Sequence, residues 1–268
     1  MITVDKTKCI TCGLCVEVCP SDIIELGENG PVETSPRLCI ACGHCVAVCP
    51  VAALDHDKAP LGGQDKLDES PVLDPETAKK FLRARRSIRA YRKDLVPKDK
   101  IEKMLDVARM APTGSNSQGT SFIVVSDPAI LEEAREIIIS FIEDEIAKGS
   151  RWARGYRRLV TLTRKKGKDV ILRGAPQLVI ALADKSKPLR WPNGQFALTY
   201  AELMAPSLGI GTCWAGFLLY GLKEELPRLM EIFQIPEDKK VTAAIMIGVP
   251  KVRYQRLVER APLETTWL

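Results

Sequence analysis

The sequence lacks the two features that would place a protein in a membrane or outside the cell. Its 268 residues contain no run approaching the roughly 18 consecutive apolar residues of a transmembrane helix. The opening residues, MITVDKTKC, show no basic segment followed by an apolar stretch, which is the pattern of a secretory signal. We therefore expect a soluble, cytoplasmic protein without a membrane partner.

Two common nucleotide-binding fingerprints are also missing. The stretch GIGTCW (209–214) has two glycines but no third glycine at the spacing of a G-x-G-x-x-G dinucleotide loop. The sequence contains no Walker A loop either. Neither absence excludes a flavin cofactor.

Cysteine, by contrast, is plentiful and crowded into one segment. Eight of the nine cysteines lie within residues 9–49, and Cys213 stands alone. The stretches CITCGLCVEVCP and CIACGHCVAVCP begin at Cys9 and Cys39 and repeat the same spacing after 30 residues. Because nothing indicates secretion, metal binding is favoured over disulfides. The spacing C-x2-C-x2-C-x3-C-P is that of bacterial ferredoxins.

The duplication predicts how the cysteines divide between two [4Fe–4S] clusters. In two-cluster ferredoxins the cysteine before the proline binds the cluster of the other repeat. The alternatives are a pair of zinc sites, for which separated C-x2-C pairs are more usual, or buried structural cysteines. The resemblance of residues 1–57 to bacterial-type ferredoxins implies electron transfer at low potential. The predicted ligands are Cys9, Cys12, Cys15 and Cys49 for one cluster, and Cys39, Cys42, Cys45 and Cys19 for the other.

Charge and composition divide the chain into three parts. Residues 1–57 carry eight acidic and three basic side chains, a net of −5, so the remainder carries +10. Residues 58–75 are polar and rich in glycine and proline, which indicates a linker. Residues 76–268 alternate helical and strand patterns, which indicates a layered α/β or α+β domain.

Hydrophobic patterning predicts the secondary structure of these parts. Short strands are expected at 22–26 and 52–56 in the cysteine-rich part. The predicted helices of the long domain cover 75–85, 97–110, 128–148, 194–208 and 222–232, and its predicted strands cover 121–125, 177–183 and 241–248.

Four motifs in the long domain resemble, in their order along the chain, those of the nitroreductase family of FMN enzymes. The resemblance covers about residues 76–268, and the whole chain resembles the ferredoxin-fused branch of that family. It implies an α+β fold, a homodimeric three-layer α/β/α sandwich of the nitroreductase type, preceded by a small ferredoxin-like domain. The motifs are RARRSIRAYRKDLVP (83–97), APTGSNSQ (111–118), LGIGTCWAGF (208–217) and IGVPKVRYQRLVERAP (247–262).

The resemblance also implies roles for single residues. The arginine-serine motif would hold the FMN phosphate and ribityl chain, as guanidinium and hydroxyl groups suit phosphate; a solvated basic helix end is the alternative. The second motif would contact the flavin of the other subunit, the third would place backbone N–H groups near flavin N5, and an arginine of the tail would close over the phosphate. The phosphate and ribityl ligands would be Arg85, Arg86, Ser87 and Arg89, and the contacts to the flavin of the other subunit would be Pro112, Thr113 and Asn116. The backbone donors near flavin N5 would be Ala215 and Gly216, and the tail arginine would be Arg260 or Arg256.

The resemblance implies an FMN-dependent oxidoreductase. Two [4Fe–4S] clusters would relay electrons from an external donor, reduced ferredoxin or NAD(P)H, to FMN. The FMN would reduce a small, electron-poor organic substrate of the nitro or quinone type. Two alternatives stay open, namely an electron-carrier or docking subunit without its own substrate, and a flavin-remodelling or reductive dehalogenase relative. No side chain stands out as a general acid, so no catalytic residue is assigned.

The basic segment at 151–169 has several interpretations. Its arginines, lysines and interleaved aromatic residues resemble a nucleic-acid-binding stretch. The enzyme-like layout of the rest of the chain favours a lid over the flavin or a docking face for the acidic ferredoxin part, and we expect no nucleic-acid partner. Cys213 we interpret as a small buried residue near the flavin.

Overall fold

The protein is described by a computed structural model that covers residues 1–67 and 72–268. The chain divides into two units. The first contains Met1–Val72 together with Ser115–Ser117, and the second contains Leu73–Gly114 and Gln118–Leu268. Part of the predicted linker 58–75 lies outside the described residues, so the proposed domain boundaries stay a prediction.

The first unit is built from short strands and one-turn helices. Strand β1 pairs with β4 and β2 pairs with β3, both antiparallel, which confirms the strands expected at 22–26 and 52–56. The elements are β1 (Ile2–Val4), α1 (Leu14–Glu17), β2 (Ile24–Gly27), β3 (Gly30–Glu33), α2 (His44–Ala47) and β4 (Leu54–His56), with 3-10 turns at Pro36–Leu38 and Leu61–Gly63.

Glycines allow the chain to turn sharply inside each cysteine motif. Gly13 has φ 79° and Gly43 has φ 73°, a left-handed backbone conformation that residues with a side chain rarely adopt. Each of these glycines precedes a one-turn helix. A side chain at Gly43 would also meet Ala59 Cβ at 3.1 Å. The buried core beside these turns is small, so a bound ligand is expected to contribute to folding. Its fully buried members are Cys15, Ile23, Ile24, Cys45, Val46 and Leu54.

The second unit is organised around one antiparallel sheet. Its strand order is β5-β6-β8-β7, and each neighbouring pair is antiparallel. The strands expected at 121–125, 177–183 and 241–248 are confirmed. The strands are β5 (Ser121–Val125), β6 (Gln177–Asp184), β7 (Gly211–Trp214) and β8 (Lys239–Gly248).

Helices cover both faces of this sheet. The helices are α3 (Pro75–Ala84), α4 (Lys98–Ala108), α5 (Pro128–Ala147), α6 (Arg157–Lys166), α7 (Asn193–Met204), α8 (Gly216–Lys223) and α9 (Pro227–Ile232), with 3-10 turns at Gly114–Asn116, Ala153–Tyr156, Pro188–Arg190 and Ala205–Leu208. No helix of the described residues is both long enough and apolar enough to cross a membrane.

The central strands β6 and β8 are apolar on both faces, because successive side chains point to opposite sides of a strand. Ile180 and Met246 pack in one core with α5, α8 and α9. Val179 and Ile245 pack in a second core with α4 and α7. This arrangement is the expected α/β/α sandwich.

One predicted helix is wrong. The segment 222–232 forms two helices, because α8 ends at Lys223 and α9 begins at Pro227. Proline has no N–H to donate and its ring clashes with the preceding turn, so it starts a helix and does not continue one. Glu225, with φ 49°, makes the turn between the two helices. Helix α6, within the basic segment, was not predicted.

Replacing Leu198 by alanine tests the second core. Leu198 is fully buried on α7, so we expect Leu198→Ala to lower the free energy of unfolding by about 2–5 kcal/mol. Leu189→Ala is the matched control; its side chain is 94% exposed, and the change should stay within about 0.5 kcal/mol. All four tryptophans lie within residues 152–267, so their fluorescence in urea reports the second unit. Equal unfolding curves for both variants would contradict the packing.

Candidate functional site

Each cysteine motif of the first unit opens onto its own cavity. The first cavity is lined by Cys9, Cys12, Cys15 and Cys49. Three of these thiols come from the first repeat, and Cys49 comes from the second. This is the group that the spacing predicts for one cluster.

The second cavity has the reciprocal arrangement. It is lined by Cys39, Cys42 and Cys45 of the second repeat together with Cys19 of the first. Each repeat therefore contributes three thiols to one cavity and one thiol to the other. The structure brings together all eight predicted ligands, in the predicted two groups.

The donor set of these cavities fits iron–sulfur clusters. Thiolates are soft, charged ligands suited to iron and its bridging sulfides. Backbone N–H groups already point at two of the sulfurs, since Ala53 donates to Cys49 Sγ at 3.2 Å and Ala41 donates to Cys39 Sγ at 3.4 Å. Among the described residues, no group of three or more cysteine, histidine or acidic side chains converges on a point that would hold a single metal ion.

Burial affects two of the thiols. It raises the pKa of Cys45 to about 11, and it raises the pKa of Cys15 above the usual thiol value. Metal binding requires the thiolate, so assembly of a cluster must displace a proton from each of these groups.

A cavity of about 300 Å³ in the second unit gathers the arginines predicted to hold a phosphate. Arg85, Arg86 and Arg260 all line it, although Arg260 lies far along the chain from the other two. Arg86 Nε is buried and has no hydrogen-bond partner among the described residues. The Arg86 guanidinium also lies 5.7 Å from the centre of the Tyr254 ring, in a cation–π contact.

The charge balance of this arginine cavity is positive. Arg83 and Glu259 also line it, and Arg83 Nη2 donates to Glu259 Oε2 at 3.0 Å. The Arg260 N–H and the Arg83 charge lower the pKa of Glu259. Four arginines and one glutamate line the cavity, and Glu202 beside Arg85 is a second carboxylate. The local charge is still positive, and a dianionic phosphate suits such a site.

Glu202 is a site residue that sequence reasoning missed. It is 2% exposed and accepts hydrogen bonds from Arg85 Nη1 at 3.4 Å, Thr212 Oγ1 at 3.0 Å and Trp214 Nε1 at 2.6 Å. A buried carboxylate is tolerated only with such donors. It holds Arg85, at the arginine cavity, and Trp214, at the end of β7. The available signal was a lone charged residue within the otherwise uncharged segment FALTYAELMAPSL.

A second cleft, of about 270 Å³, lies beside the end of β7. It has two cations, Arg89 and Arg173, and an aromatic wall. Tyr156 meets Phe217 edge to face, with ring centres 5.1 Å apart. The other lining residues are Ile171, Cys213, Trp214, Gly216, Tyr220 and Met246.

Two backbone N–H groups, of Ala215 and Gly216, are predicted to donate to flavin N5, and they differ in whether they already have an acceptor. The Ala215 N–H donates to Ala244 O at 3.0 Å and is therefore committed to the sheet. Gly216 is the first residue of α8 and lines the cleft. The first N–H groups of a helix have no partner within the helix, so Gly216 is the better placed donor.

Cys213 behaves as a buried thiol. It is buried at the cleft, and burial raises its pKa, although the Arg89 charge and the Ser87 hydroxyl act in the opposite direction. A thiol with a raised pKa is a poor nucleophile. The interpretation of Cys213 as a small buried residue is confirmed as far as its burial is concerned.

Three predicted flavin residues lie in the loop between α4 and β5 and line neither the arginine cavity nor the cleft: Pro112, Thr113 and Asn116. Thr113 Oγ1 accepts a hydrogen bond from the Gln118 N–H at 3.1 Å. Asn116 groups with the first unit, and its Nδ2 donates to the carbonyl oxygens of Ile40 at 3.1 Å and Ala41 at 2.9 Å. The predicted contact of these residues with the flavin of a second subunit stays a prediction.

Of the two candidate tail arginines, Arg260 lines the arginine cavity and Arg256 does not.

The basic segment is partly neutralised by its neighbours. Arg164 on α6 pairs with Glu136 at 2.5 Å and with Glu143 at 2.6 Å, and both carboxylates lie on α5. The same segment contributes Tyr156 to the cleft. Its roles as a lid or as a docking face stay predictions.

Comparisons with known proteins match both units. A model described as "Nitroreductase family" matches residues 82–249, and one described as "4Fe-4S dicluster domain" matches residues 1–50. An iodotyrosine deiodinase from Danio rerio is 28% identical in an alignment 181 residues long that covers 63% of this chain and 59% of that protein, less than two thirds of its length. An NADH dehydrogenase from Thermus thermophilus is 28% identical over 195 residues, 67% of this chain and 88% of that protein.

The solved structures agree on the fold. A nitroreductase from Bacteroides fragilis, solved with bound FMN, covers 70% of this chain with 97% of its own length, at a TM-score of 0.57 and 23% identity. This likeness confirms the nitroreductase-type α/β/α sandwich that the sequence motifs implied.

Paired cysteine substitutions test the crossed ligation. Cys12 and Cys49 line the same cavity, whereas Cys12 and Cys19 line different ones. We expect Cys12→Ala/Cys49→Ala to keep about half of the iron of the unsubstituted protein, since one four-iron cluster is lost. The Cys12→Ala/Cys19→Ala variant should keep almost none. Iron and sulfide analysis of anaerobically purified protein checks this, and retention of half the iron in the second variant would contradict the grouping.

Proposed function

Because the chain belongs to the nitroreductase family, we propose that it is an FMN-dependent oxidoreductase that reduces a small, electron-poor organic molecule. Two [4Fe–4S] clusters relay electrons to its FMN from an external donor. The observation that carries this proposal is the presence, in one chain, of two complete four-cysteine cavities and of an arginine cavity with a buried guanidinium N–H that has no partner within residues 1–67 and 72–268.

The arginine cavity is the proposed binding site for the FMN phosphate. Arg86 has a buried Nε in need of an acceptor, and Arg85 is held in place by Glu202. Arg260 approaches from the C-terminal tail. Guanidinium groups bind phosphate oxygens in pairs, so these residues would fix both the position and the orientation of the cofactor.

The cleft at the end of β7 is the proposed site of the flavin ring. Arg89 follows the phosphate-binding arginines by only a few residues and lines this second space, so the segment 85–89 connects the two. Apolar and aromatic side chains would exclude water, and Gly216 would donate its N–H. When bound, FMN can take up electrons singly from the clusters and pass them on in pairs.

The proposed substrate is a small planar molecule of the nitro or quinone type. The aromatic wall formed by Tyr156, Phe217 and Tyr220 supports a flat ligand. Arg89 and Arg173 support one that carries or develops negative charge. The likeness to an iodotyrosine deiodinase favours reductive dehalogenation as the second candidate.

Flavin reduction in the absence of clusters tests the relay. With reduced ferredoxin as donor, stopped-flow absorbance should show rapid FMN reduction in the unsubstituted protein. That reduction should be lost in Cys12→Ala/Cys19→Ala protein that still holds FMN, because the cavities for both clusters are broken. NAD(P)H is the second donor to be compared in both proteins. Equally fast reduction by ferredoxin without clusters would refute the relay.

Turnover separates the two candidate substrates. The loaded, unsubstituted protein is incubated anaerobically with an electron donor, reduced ferredoxin or NAD(P)H, and with a nitroaromatic compound, a quinone or a halogenated phenol, and the products are identified by mass spectrometry. Release of halide without nitro or quinone reduction would overturn the first candidate in favour of the second.

Arg260→Ala tests the proposed phosphate site. Loss of one charge-assisted hydrogen bond costs about 1.5–3 kcal/mol, so the dissociation constant for FMN should rise by about 10- to 100-fold. Arg253→Ala, in the same exposed tail but outside the cavity, is the matched control. Equilibrium titration of FMN fluorescence measures both, and an equal loss of affinity in the two variants would count against Arg260 as a phosphate ligand.

A further inference from the structure

The two cysteine cavities differ at two corresponding positions of the repeat. Leu14 and Leu26 line the first cavity, and 30 residues later His44 and His56 line the second. His56 is 3% exposed, whereas its counterpart Leu26 is 48% exposed. The duplicated scaffold therefore buries a histidine at only one of its two cavities.

Backbone contacts fix the orientation of the His56 ring. Its Nδ1 accepts a hydrogen bond from the Lys58 N–H at 3.0 Å, so this nitrogen carries a lone pair and the ring hydrogen lies on Nε2. Asp57 Oδ1 lies 3.3 Å from the same nitrogen, but it accepts from the N-terminal ammonium of Met1. Nε2 faces Cys39 Sγ at 3.4 Å, within the range of an N–H···S hydrogen bond.

We propose that His56 donates this hydrogen bond to Cys39 and thereby raises the reduction potential of the cluster bound in the second cavity. The inference rests on the proposed function, which assigns a [4Fe–4S] cluster to that cavity. One-electron reduction adds a negative charge that is shared by the cluster and its thiolates. A donated N–H stabilises the more negative state more strongly, and hydrogen bonds to sulfur are among the features that set cluster potentials.

Groups other than His56 also affect the reduction potentials of the two clusters. Glu33 also lines the second cavity, and a carboxylate there opposes reduction. The exposed Cys12 thiol distinguishes the first cavity by its access to water. His56 therefore accounts for a shift in the potential of one cluster, and not for the order of the two potentials.

Substitution of His56 by the residue of the first repeat is the direct test. Potentiometric titration of anaerobic His56→Leu, followed by electron paramagnetic resonance of the reduced clusters, should show one midpoint potential lowered and the other unchanged. The expected fall in the equilibrium constant for reduction is about tenfold, equal to 59 mV for a one-electron couple.

Two variants serve as controls. His56→Gln keeps an N–H donor and should recover part of the shift. His44→Leu removes the exposed ring that also lines the second cavity, and it should lower that midpoint by less than His56→Leu does. Full iron content with both midpoints unchanged in His56→Leu would overturn the inference, whereas unsubstituted protein without iron–sulfur clusters would overturn the proposed function.

A spectroscopic measurement tests the hydrogen bond from His56 even if His56→Leu loses its cluster. The chain has only two histidines, so His44→Leu protein without an affinity tag of histidines carries a single imidazole. With 15N-labelled histidine, pulsed paramagnetic resonance should detect coupling of that nitrogen to one reduced cluster. Absence of the coupling in protein with its full iron content would overturn the inference.

Discussion

The exchange of one thiol between the two cysteine repeats is the constraint on which the first unit depends. Neither repeat completes a four-cysteine cavity by itself, because Cys49 closes the first and Cys19 closes the second. The unit has only a small apolar core, so the metal–sulfur bonds are expected to supply much of its folding free energy. The duplication in the sequence thus has a physical cause.

In the second unit, a sheet that is apolar on both faces lets helices cover it on either side and leaves the end of β7 available for a site. Glu202 is the group that connects the proposed parts of that site. Through Arg85 it reaches the arginine cavity, and through Trp214 it reaches the cleft. A buried carboxylate with three donors is costly to disturb. It would hold Arg85, a proposed ligand of the FMN phosphate, in place before any ligand arrives.

Much of this could be predicted from the sequence, for identifiable reasons. The division of the eight cysteines into two groups of four was predicted from the motif and its resemblance to two-cluster ferredoxins, and the two cavities bring the same groups together; their ligation of clusters stays a prediction. Strands such as 177–183 are long apolar runs and were recognisable. The break before Pro227 was missed because the apolar pattern continues through it. Glu202 was missed because its donors, Arg85 and Trp214, are distant in sequence and come together only in the fold.

The proposed function requires one chain to hold iron–sulfur clusters and a flavin together. The most direct measurement is the content of iron, acid-labile sulfide and FMN in anaerobically isolated protein, with its absorbance spectrum. We expect about eight irons, about eight sulfides and one FMN per chain, from two [4Fe–4S] clusters and one flavin. Zinc in place of iron, or a colourless protein without flavin, would contradict it.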